Sequence, residues 1–338
     1  MAVETLQDRV LASIKGAGTF DGALALELFR FQAEACAPYR EYVGLLGIDP
    51  AAVTAVEEIP FLPVEFFKSR LVWSAAPADE PETVFTSSGT SGSETSRHYV
   101  ASTALYAASF TRGFEHFYGP AEGWSLFALL PSYGERSGSS LVWMVERLQA
   151  RNRAGGGFYL YEHDRLTADL ERAARKGEKI LLIGVAFALL DYAEHLAAGR
   201  TGLTLPADAV VMETGGMKGR RREVSRETLH ETLKQAFGTE TIHSEYGMTE
   251  LLSQAYSTGG GWFRCPPWMK VSARDLQSPL RPAAAGEVGG LNIVDLANLW
   301  SCSFLAVQDR GIVRPDGSFR VLGRIEGAQL RGCNLLIE

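Results

Sequence analysis

No apolar run in this sequence is long enough to span a bilayer. The longest, Ile180 to Leu190, falls short of the roughly 20 residues a transmembrane helix needs and is followed by Asp191 and Glu194. A secretory leader is missing as well, because the opening residues MAVETLQDRV carry acids where a signal peptide carries positive charge. Both absences lead us to expect a cytoplasmic chain with no membrane span. Cysteine is scarce and dispersed: Cys36, Cys265, Cys302 and Cys333 form no CxxC pair, which excludes a zinc knuckle or disulfide framework and leaves thiols open to chemistry. The six histidines show no metal-ligand spacing. Positive charge is not in excess either. Forty acidic against 33 basic residues give a net charge of -7 without a long basic block, so nucleic acid is excluded as a partner. There is no Walker loop, no GxGxxG fingerprint and no GxSxG elbow. Internal repeats and low-complexity tracts are also lacking.

What is present describes an ordinary globular chain. With 338 residues, 46% of them hydrophobic and 22% charged, there is ample material for a core. The length suggests about two domains, or one large α/β unit built from lobes. Residues 3 to 45 place Leu24, Leu28 and Phe31 at helical spacing, with Pro38 and Gly44 punctuating the end. The aromatic, Pro-marked run IPFLPVEFFKSRLVW (59 to 73) follows, then a loose Ala/Pro/acid loop from Ala75 to Glu82. From there apolar runs at Ser125 to Leu130, Phe158 to Tyr161, Lys179 to Val185, Ala209 to Met212 and Thr241 to His243 predict strands. They alternate with predicted helices at Ser139 to Arg151, Arg165 to Arg175, Phe187 to Ala198 and Ser225 to Phe237. Such alternation predicts a parallel sheet covered on both faces. After Gly259 short strands (Met269 to Ala273, Val288 to Leu296, Phe304 to Gln308, Phe319 to Leu322) predict an antiparallel or barrel-like lobe.

Two segments carry chemistry. In Val84-Phe85-Thr86-Ser87-Ser88-Gly89-Thr90-Ser91-Gly92-Ser93 an apolar approach leads into consecutive hydroxyl and glycine residues. Glycines let backbone amides turn inward while hydroxyls donate to the same oxygens, which suits a polyphosphate; by composition alone such runs are usually flexible loops. The second segment, Ser244-Glu245-Tyr246-Gly247-Met248-Thr249-Glu250, is read as leaving the end of a strand, where α/β sheets place ligand contacts. Its two carboxylates, Glu245 and Glu250, are read as exposed, and a carboxylate there can hold Mg2+, which takes hard oxygen ligands together with phosphates. The bland alternative is a turn with solvated acids.

In this order and separation the two segments resemble the phosphate loop and the aromatic-Gly-x-Thr-Glu motif of the adenylate-forming (ANL) superfamily. Within it the sequence is similar to the LuxE acyl-protein synthetases, with the phenylacetate-CoA ligase branch next. IPFLPVEFFKS (59 to 69), FTSSGTSGSETSRH (85 to 98), LLPSYGERSGSSLVWM (129 to 144), METGGMKGRR (212 to 221), EYGMTELLSQAY (245 to 256) and GRIEGAQLRGCNL (323 to 335) carry the likeness. The resemblance implies an α/β fold: a single ANL-type large domain over 1–338, lacking the mobile C-terminal domain and its catalytic lysine, as LuxE-like chains do. Its lobes would be a helical entry segment (1–74), an α/β nucleotide-binding core (75–258) and a β-rich lobe with a tail (259–338).

The activity implied is ATP- and Mg2+-dependent conversion of a fatty carboxylic acid to acyl-AMP, then acyl transfer to a cysteine that a partner reductase receives. Thr86, Ser87, Ser88, Gly89, Thr90, Ser91 and Gly92 would cradle phosphates. Glu250 would bind the metal with Thr249 beside it, and Asp309 would take the ribose hydroxyls. Tyr246, with Gly247 beside it, would stack on the adenine, Gly215 and Gly216 would line it, and Arg324 lies in the Gly-Arg segment. The superfamily loop commonly continues with Pro-Lys; here Arg97 or Lys218 would supply that cation, Lys218 being equally one of a solvated cluster. Ser132, Tyr133 and Ser139 would face the acyl substrate, with a structural role open for Tyr133. His98 would touch phosphate. Cys333, two residues after Arg331, would be the nucleophile, since a nearby cation raises the thiolate fraction; an isolated cysteine is otherwise a small buried hydrophobe. Two rival readings are transfer of acyl-AMP to CoA, a carrier-protein thiol or an amine, and a non-catalytic nucleotide-binding subunit of a reductase complex.

Overall fold

The helical periodicity of the first 45 residues is realised as α1 (Val3–Lys15), α2 (Gly22–Ala35) and α3 (Ala37–Leu45). Asp21 caps α2 by accepting from the Leu24 amide at 2.9 Å, which satisfies one of the four donors a helix start leaves open. This computed structural model describes residues 3–16, 18–76, 79–87, 95–132, 134–152, 155–199, 203–215 and 224–325. The aromatic run that follows becomes a two-residue strand, β1 (Leu62–Pro63), and a single helical turn, α4 (Phe66–Ser69). Next come the hairpin strands β2 (Thr83–Thr86) and β3 (Arg97–Val100), then α5 (Thr103–Tyr118).

The alternating region supplies β4 (Trp124–Leu129), α6 (Ser140–Arg151), β5 (Gly156–Phe158), α7 (His163–Arg175), β6 (Lys179–Val185), α8 (Ala186–Gly199), β7 (Val210–Thr214), α9 (Arg226–Phe237), β8 (His243–Tyr246) and β9 (Ala255–Ser257). Ser139 and Ser225 cap α6 and α9 through the amides of Val142 and Thr228. The last segment gives β10 (Met269–Arg274), β11 (Val288–Asp295), β12 (Phe304–Val313) and β13 (Phe319–Arg324).

The described residues fall into two compact units: 3–113, 248–254 and 264–325 form one, 114–247 and 255–263 the other. In the second unit six strands run in the order β5-β4-β6-β7-β8-β9, parallel except for β9. Every residue of β4 and β7, and all of β6 after Lys179, is buried. Strands buried on both faces read as continuous apolar runs rather than alternations, which is why LLIGV and VVM stood out in the sequence. In the first unit β1, β12, β11 and β10 form a sheet, antiparallel except for the β1–β12 pair, and β13 pairs with β12. Two predicted strands need correction. The one expected at Phe158 to Tyr161 is β5, Gly156–Phe158, so Tyr159, Leu160 and Tyr161 lie outside it. The strand expected at Thr241 to His243 begins at His243 and continues to Tyr246, so Ser244 and Glu245 lie inside it. Ser244 and Glu245 read as polar only because they satisfy partners inside the protein, described below. Among the described residues, no helix is long and apolar enough to cross a membrane.

Candidate functional site

In the first unit the β2–β3 hairpin pairs Thr86 with Arg97 and Phe85 with His98. Beyond that last pair the Ser87 amide donates to the Ser96 carbonyl at 3.1 Å and the Ser96 amide donates to the Ser87 hydroxyl at 2.9 Å. The Ser/Thr/Gly segment is therefore launched from a closed base, and the Ser87 hydroxyl has one lone pair committed to it. Arg97 is exposed at the start of β3.

Ser96 has a second role. It is 2% exposed and stands beside the Glu250 carboxyl, whose pKa it lowers. Glu250 is itself 6% exposed, which corrects its reading as an exposed carboxylate. Burial raises its pKa, while the Ser96 bond and the charges of Lys68 and Arg324 oppose the rise. Its backbone is fixed from below: Asn298 Nδ2 donates to the Glu250 carbonyl at 2.8 Å. Leu252 N and Ser253 N donate to Asp295 Oδ2 at 2.8 and 2.9 Å, and the Ser253 hydroxyl donates to Oδ1 at 2.5 Å. Burial pushes Asp295 up to about 6 against the pull of these donors.

His98 belongs to the same scaffold. The Thr249 carbonyl can only accept, so Nδ1 carries the ring proton and donates to it at 2.8 Å, while Nε2 accepts from the Ser301 hydroxyl at 3.0 Å. Both nitrogens are engaged by the protein, so His98 positions Thr249 and does not reach a phosphate as the sequence suggested. Burial pulls its pKa down to about 4 against the Thr249 bond. A depressed histidine contributes stability that is present above the unfolded value near 6.5 and lost as pH falls toward 4. The window is about 2.5 units, or about 3 kcal/mol. Urea unfolding across pH 4 to 7 should show this loss, and His98→Gln, which offers an N–H and a carbonyl but no proton site, should flatten the dependence. An unchanged slope in the variant would remove His98 from the account.

Along β12 and β13, Asp309 pairs in register with Arg324 and is 4% exposed. Arg324 Nη2 donates to Gln308 Oε1 at 2.6 Å.

In the second unit the ends of the parallel neighbours β7 and β8 hold two buried carboxylates whose registers differ by one residue: Glu213 lies opposite Ser244, and Thr214 opposite Glu245. Successive side chains point to opposite faces, and each acid finds separate company. The Thr214 hydroxyl donates to Glu245, which burial pushes up to about 7, with the Glu213 charge adding to the rise. Burial also works to raise Glu213, but the His230 ring, the Arg226 guanidinium and the Ser244 hydroxyl together hold it below the ordinary range. Arg226 Nε and His230 Nε2 stand 3.5 and 3.6 Å from Glu213 Oε1. Gly215 turns the chain after β7 at φ +67°, a conformation glycine adopts at little cost. Tyr246 is 5% exposed, its ring edge-on to Phe263 at 5.8 Å, and Gly247 is exposed.

Ser132 makes a turn, its amide and hydroxyl donating to Glu135 at 2.7 and 2.9 Å. Ser139 borders a cavity of about 280 Å3 with Leu130, Val142, Leu160 and Phe187, at the carboxyl ends of β4 and β6. Ser88, Gly89, Thr90, Ser91, Gly92, Tyr133, Gly216, Lys218 and Cys333 lie outside the described residues. Ser96, Glu213, Asp295 and Asn298 were not singled out from the sequence. The available signal was a polar residue at the end of, or just after, a run that should bury its neighbours, as in VVMET and NIVDLAN.

No family model matches the chain. It is 22% identical over 314 residues to the long-chain-fatty-acid–luciferin-component ligase of Vibrio harveyi, an alignment covering 88% of this chain and 82% of that one. A 2-hydroxyisobutyryl-CoA ligase, solved with 2-HIB-AMP and CoA, matches at a TM-score of 0.65 and 15% identity, over 89% of this chain and 73% of its own. ATP-bound MatB from Rhodopseudomonas palustris matches at 0.54 and 14% identity, over 74% of this chain and 49% of its own. The fold is that of the adenylate-forming ligases, and the likeness to LuxE acyl-protein synthetases runs along most of the chain.

Proposed function

We propose, from the adenylate-forming fold and the LuxE-like sequence, that the chain is an ATP-dependent carboxylate ligase that activates a fatty acid and passes the acyl group to its own Cys333. One observation carries most of the weight: Ser96, which closes the base of the hydroxyl-rich loop, also stands beside the Glu250 carboxyl of the YGMTE segment and holds its pKa down. The phosphate loop and the acidic motif, 163 residues apart when counted from Ser87 to Glu250, are thereby tied through a single side chain.

In the first half-reaction a carboxylate oxygen attacks the α-phosphorus of ATP. The new P–O bond forms as the bond to the β-phosphate bridging oxygen breaks, and pyrophosphate leaves with that electron pair. Two anions must meet, so donors and positive charge at the phosphates lower the barrier most. The loop hydroxyls and amides from Thr86 onward supply donors, and Arg97 or Lys218 a cation. Glu250 is the residue that would hold Mg2+. Among the described residues no cluster of three or more metal-binding side chains exists. One buried carboxylate with a neutral hydroxyl beside it nonetheless suits an ion that completes its shell with phosphate oxygens and water. That ion supplies charge neutralisation when bound. Gly215, Tyr246 and Gly247 border the base, Asp309 accepts from the ribose, and the Ser139 cavity takes part of the acyl chain.

In the second half-reaction the Cys333 thiolate attacks the acyl carbonyl. A C–S bond forms, the C–O bond to the phosphate breaks, AMP leaves with the electron pair, and the thiol proton passes to solvent. The thioester is a suitable donor to a reductase partner.

The ribose assignment gives a direct test. An ionised carboxylate makes charge-assisted hydrogen bonds roughly twice as strong as neutral ones. Asp309→Asn keeps the buried shape and should raise the ATP concentration needed for half-maximal pyrophosphate exchange about tenfold, equivalent to about 1.4 kcal/mol. Equal use of ATP and 2′,3′-dideoxy-ATP by the wild type would displace the ribose from Asp309.

A further inference from the structure

Alternate residues of the antiparallel sheet face away from its core. Lys270, Ser272 and Arg274 of β10, Asn292 of β11 and Gln308 of β12 form the floor of a cavity of about 570 Å3, a size that holds a small organic molecule. Apolar side chains, among them Ile59, Phe61, Leu280 and Val294, make its walls. The chemistry of the floor centres on Arg274. Its guanidinium donates to the Leu291 carbonyl, to Asn292 Oδ1 at 2.9 Å and to the Val307 carbonyl at 2.6 Å, and all three acceptors are neutral. Gly290 makes room for it, since a Cβ there would stand 2.7 Å from Arg274 Cζ.

Four acids line the cavity, Glu57, Glu58, Glu65 and Asp275, and Glu58 accepts from the amides of Thr54 and Ala55. Glu57 pairs with Lys270 at 3.0 Å, Glu65 accepts from Gln308, and Asp275 accepts from the amides of Gln277 and Ser278. Glu65 and Asp309 act on Arg274 only through space. The floor therefore presents a half-buried cation bonded to neutral oxygens, and an amide: Asn292 is 8% exposed and its oxygen is taken by Arg274, which leaves its N–H2 group as a donor. A charge taken partly out of water and hydrogen-bonded to no carboxylate is costly, and an anion that enters with an apolar body offsets that cost while covering the walls.

We propose that this cavity binds a small amphipathic carboxylate, its carboxyl group on Arg274 and Asn292 and its apolar body against Ile59, Phe61 and Val294. The site uses none of the residues assigned to catalysis and stands independently of the ligase reading.

The test is calorimetric titration of the full chain with octanoate, in the presence of saturating octanoyl-sulfamoyl-adenosine to fill the adenylate site. One saturable octanoate site should remain, and octan-1-ol, which lacks the charge, should bind at least tenfold more weakly. Arg274→Gln should weaken octanoate at least tenfold. Because Arg274 also ties β10 to β11 and β12, Ser272→Phe provides the second variant: it fills the cavity from an exposed-side position and should abolish binding with the thermal midpoint preserved. Octanol binding as tightly as octanoate, no octanoate site under these conditions, or full octanoate binding in folded Ser272→Phe would each overturn the proposal. Failure of the adenylate mimic to bind would count against the ligase reading alone, and the two variants would still decide the cavity.

Discussion

Glu250→Gln is expected to lower carboxylate-dependent ATP/pyrophosphate exchange by about 100-fold or more, the scale on which even outer-shell partners of a bound metal act. The amide is isosteric, so the fold should survive. Glu250 is buried and its carboxyl is pushed upward by that burial, so loss of the charge relieves a desolvation cost and should leave the thermal midpoint unchanged or slightly higher. A drop in exchange with a retained midpoint separates chemistry from folding. Raising Mg2+ should recover part of the loss if the ligand is weakened and none if the carboxylate acts otherwise. Exchange at the wild-type rate in the glutamine variant would sink the assignment of Glu250 to the metal.

The second large effect concerns Cys333. With labelled fatty acid and MgATP the wild type should acquire a covalent label that neutral hydroxylamine removes, as a thioester does and an amide does not. Cys333→Ser should lose essentially all of that label while exchange stays within about twofold, because the thiol takes no part in attack on phosphorus. Exchange without label in the wild type would favour an outside acceptor such as CoA, a carrier thiol or an amine. Absence of both would favour a nucleotide-binding subunit. The other cysteines within the described residues are poor rivals. Burial pushes the thiol of Cys265 up to about 12 and raises Cys36 and Cys302 as well, which suppresses the thiolate each would need.

The sheet of the second unit was readable because burial on both faces forces long apolar runs, and Lys179–Val185 begins and ends where the run does. Helix starts at Ser139 and Ser225 were readable because a capping hydroxyl has a local partner three residues on. The β7 and β8 ends were harder. Glu213 and Glu245 look like solvated acids in one dimension, and nothing local says that His230 and Arg226 from a helix will stand against the one, or that Thr214 from the neighbouring strand will donate to the other. For the same reason His98 was misread. Its partners, Thr249 and Ser301, are 151 and 203 residues away. Composition and spacing found the loop and the acidic motif, whereas the side chains that fix Glu250, namely Ser96, Asn298 and Asp295, depend on contacts that only the fold creates.

The unit that carries Glu250 is threaded from three separated stretches of chain, and this sets an order of events during synthesis. The amides of Leu252 and Ser253 leave the ribosome 43 and 42 residues ahead of the carboxylate that will receive them, and Leu62 waits for its strand partner Leu305. Strands β4 to β8, by contrast, are emitted as one nearly continuous stretch. Nascent chains paused before residue 295 therefore hold a completed parallel sheet beside an unclosed remainder whose apolar strands lack their neighbours. That interval is when holding chaperones have the most to bind.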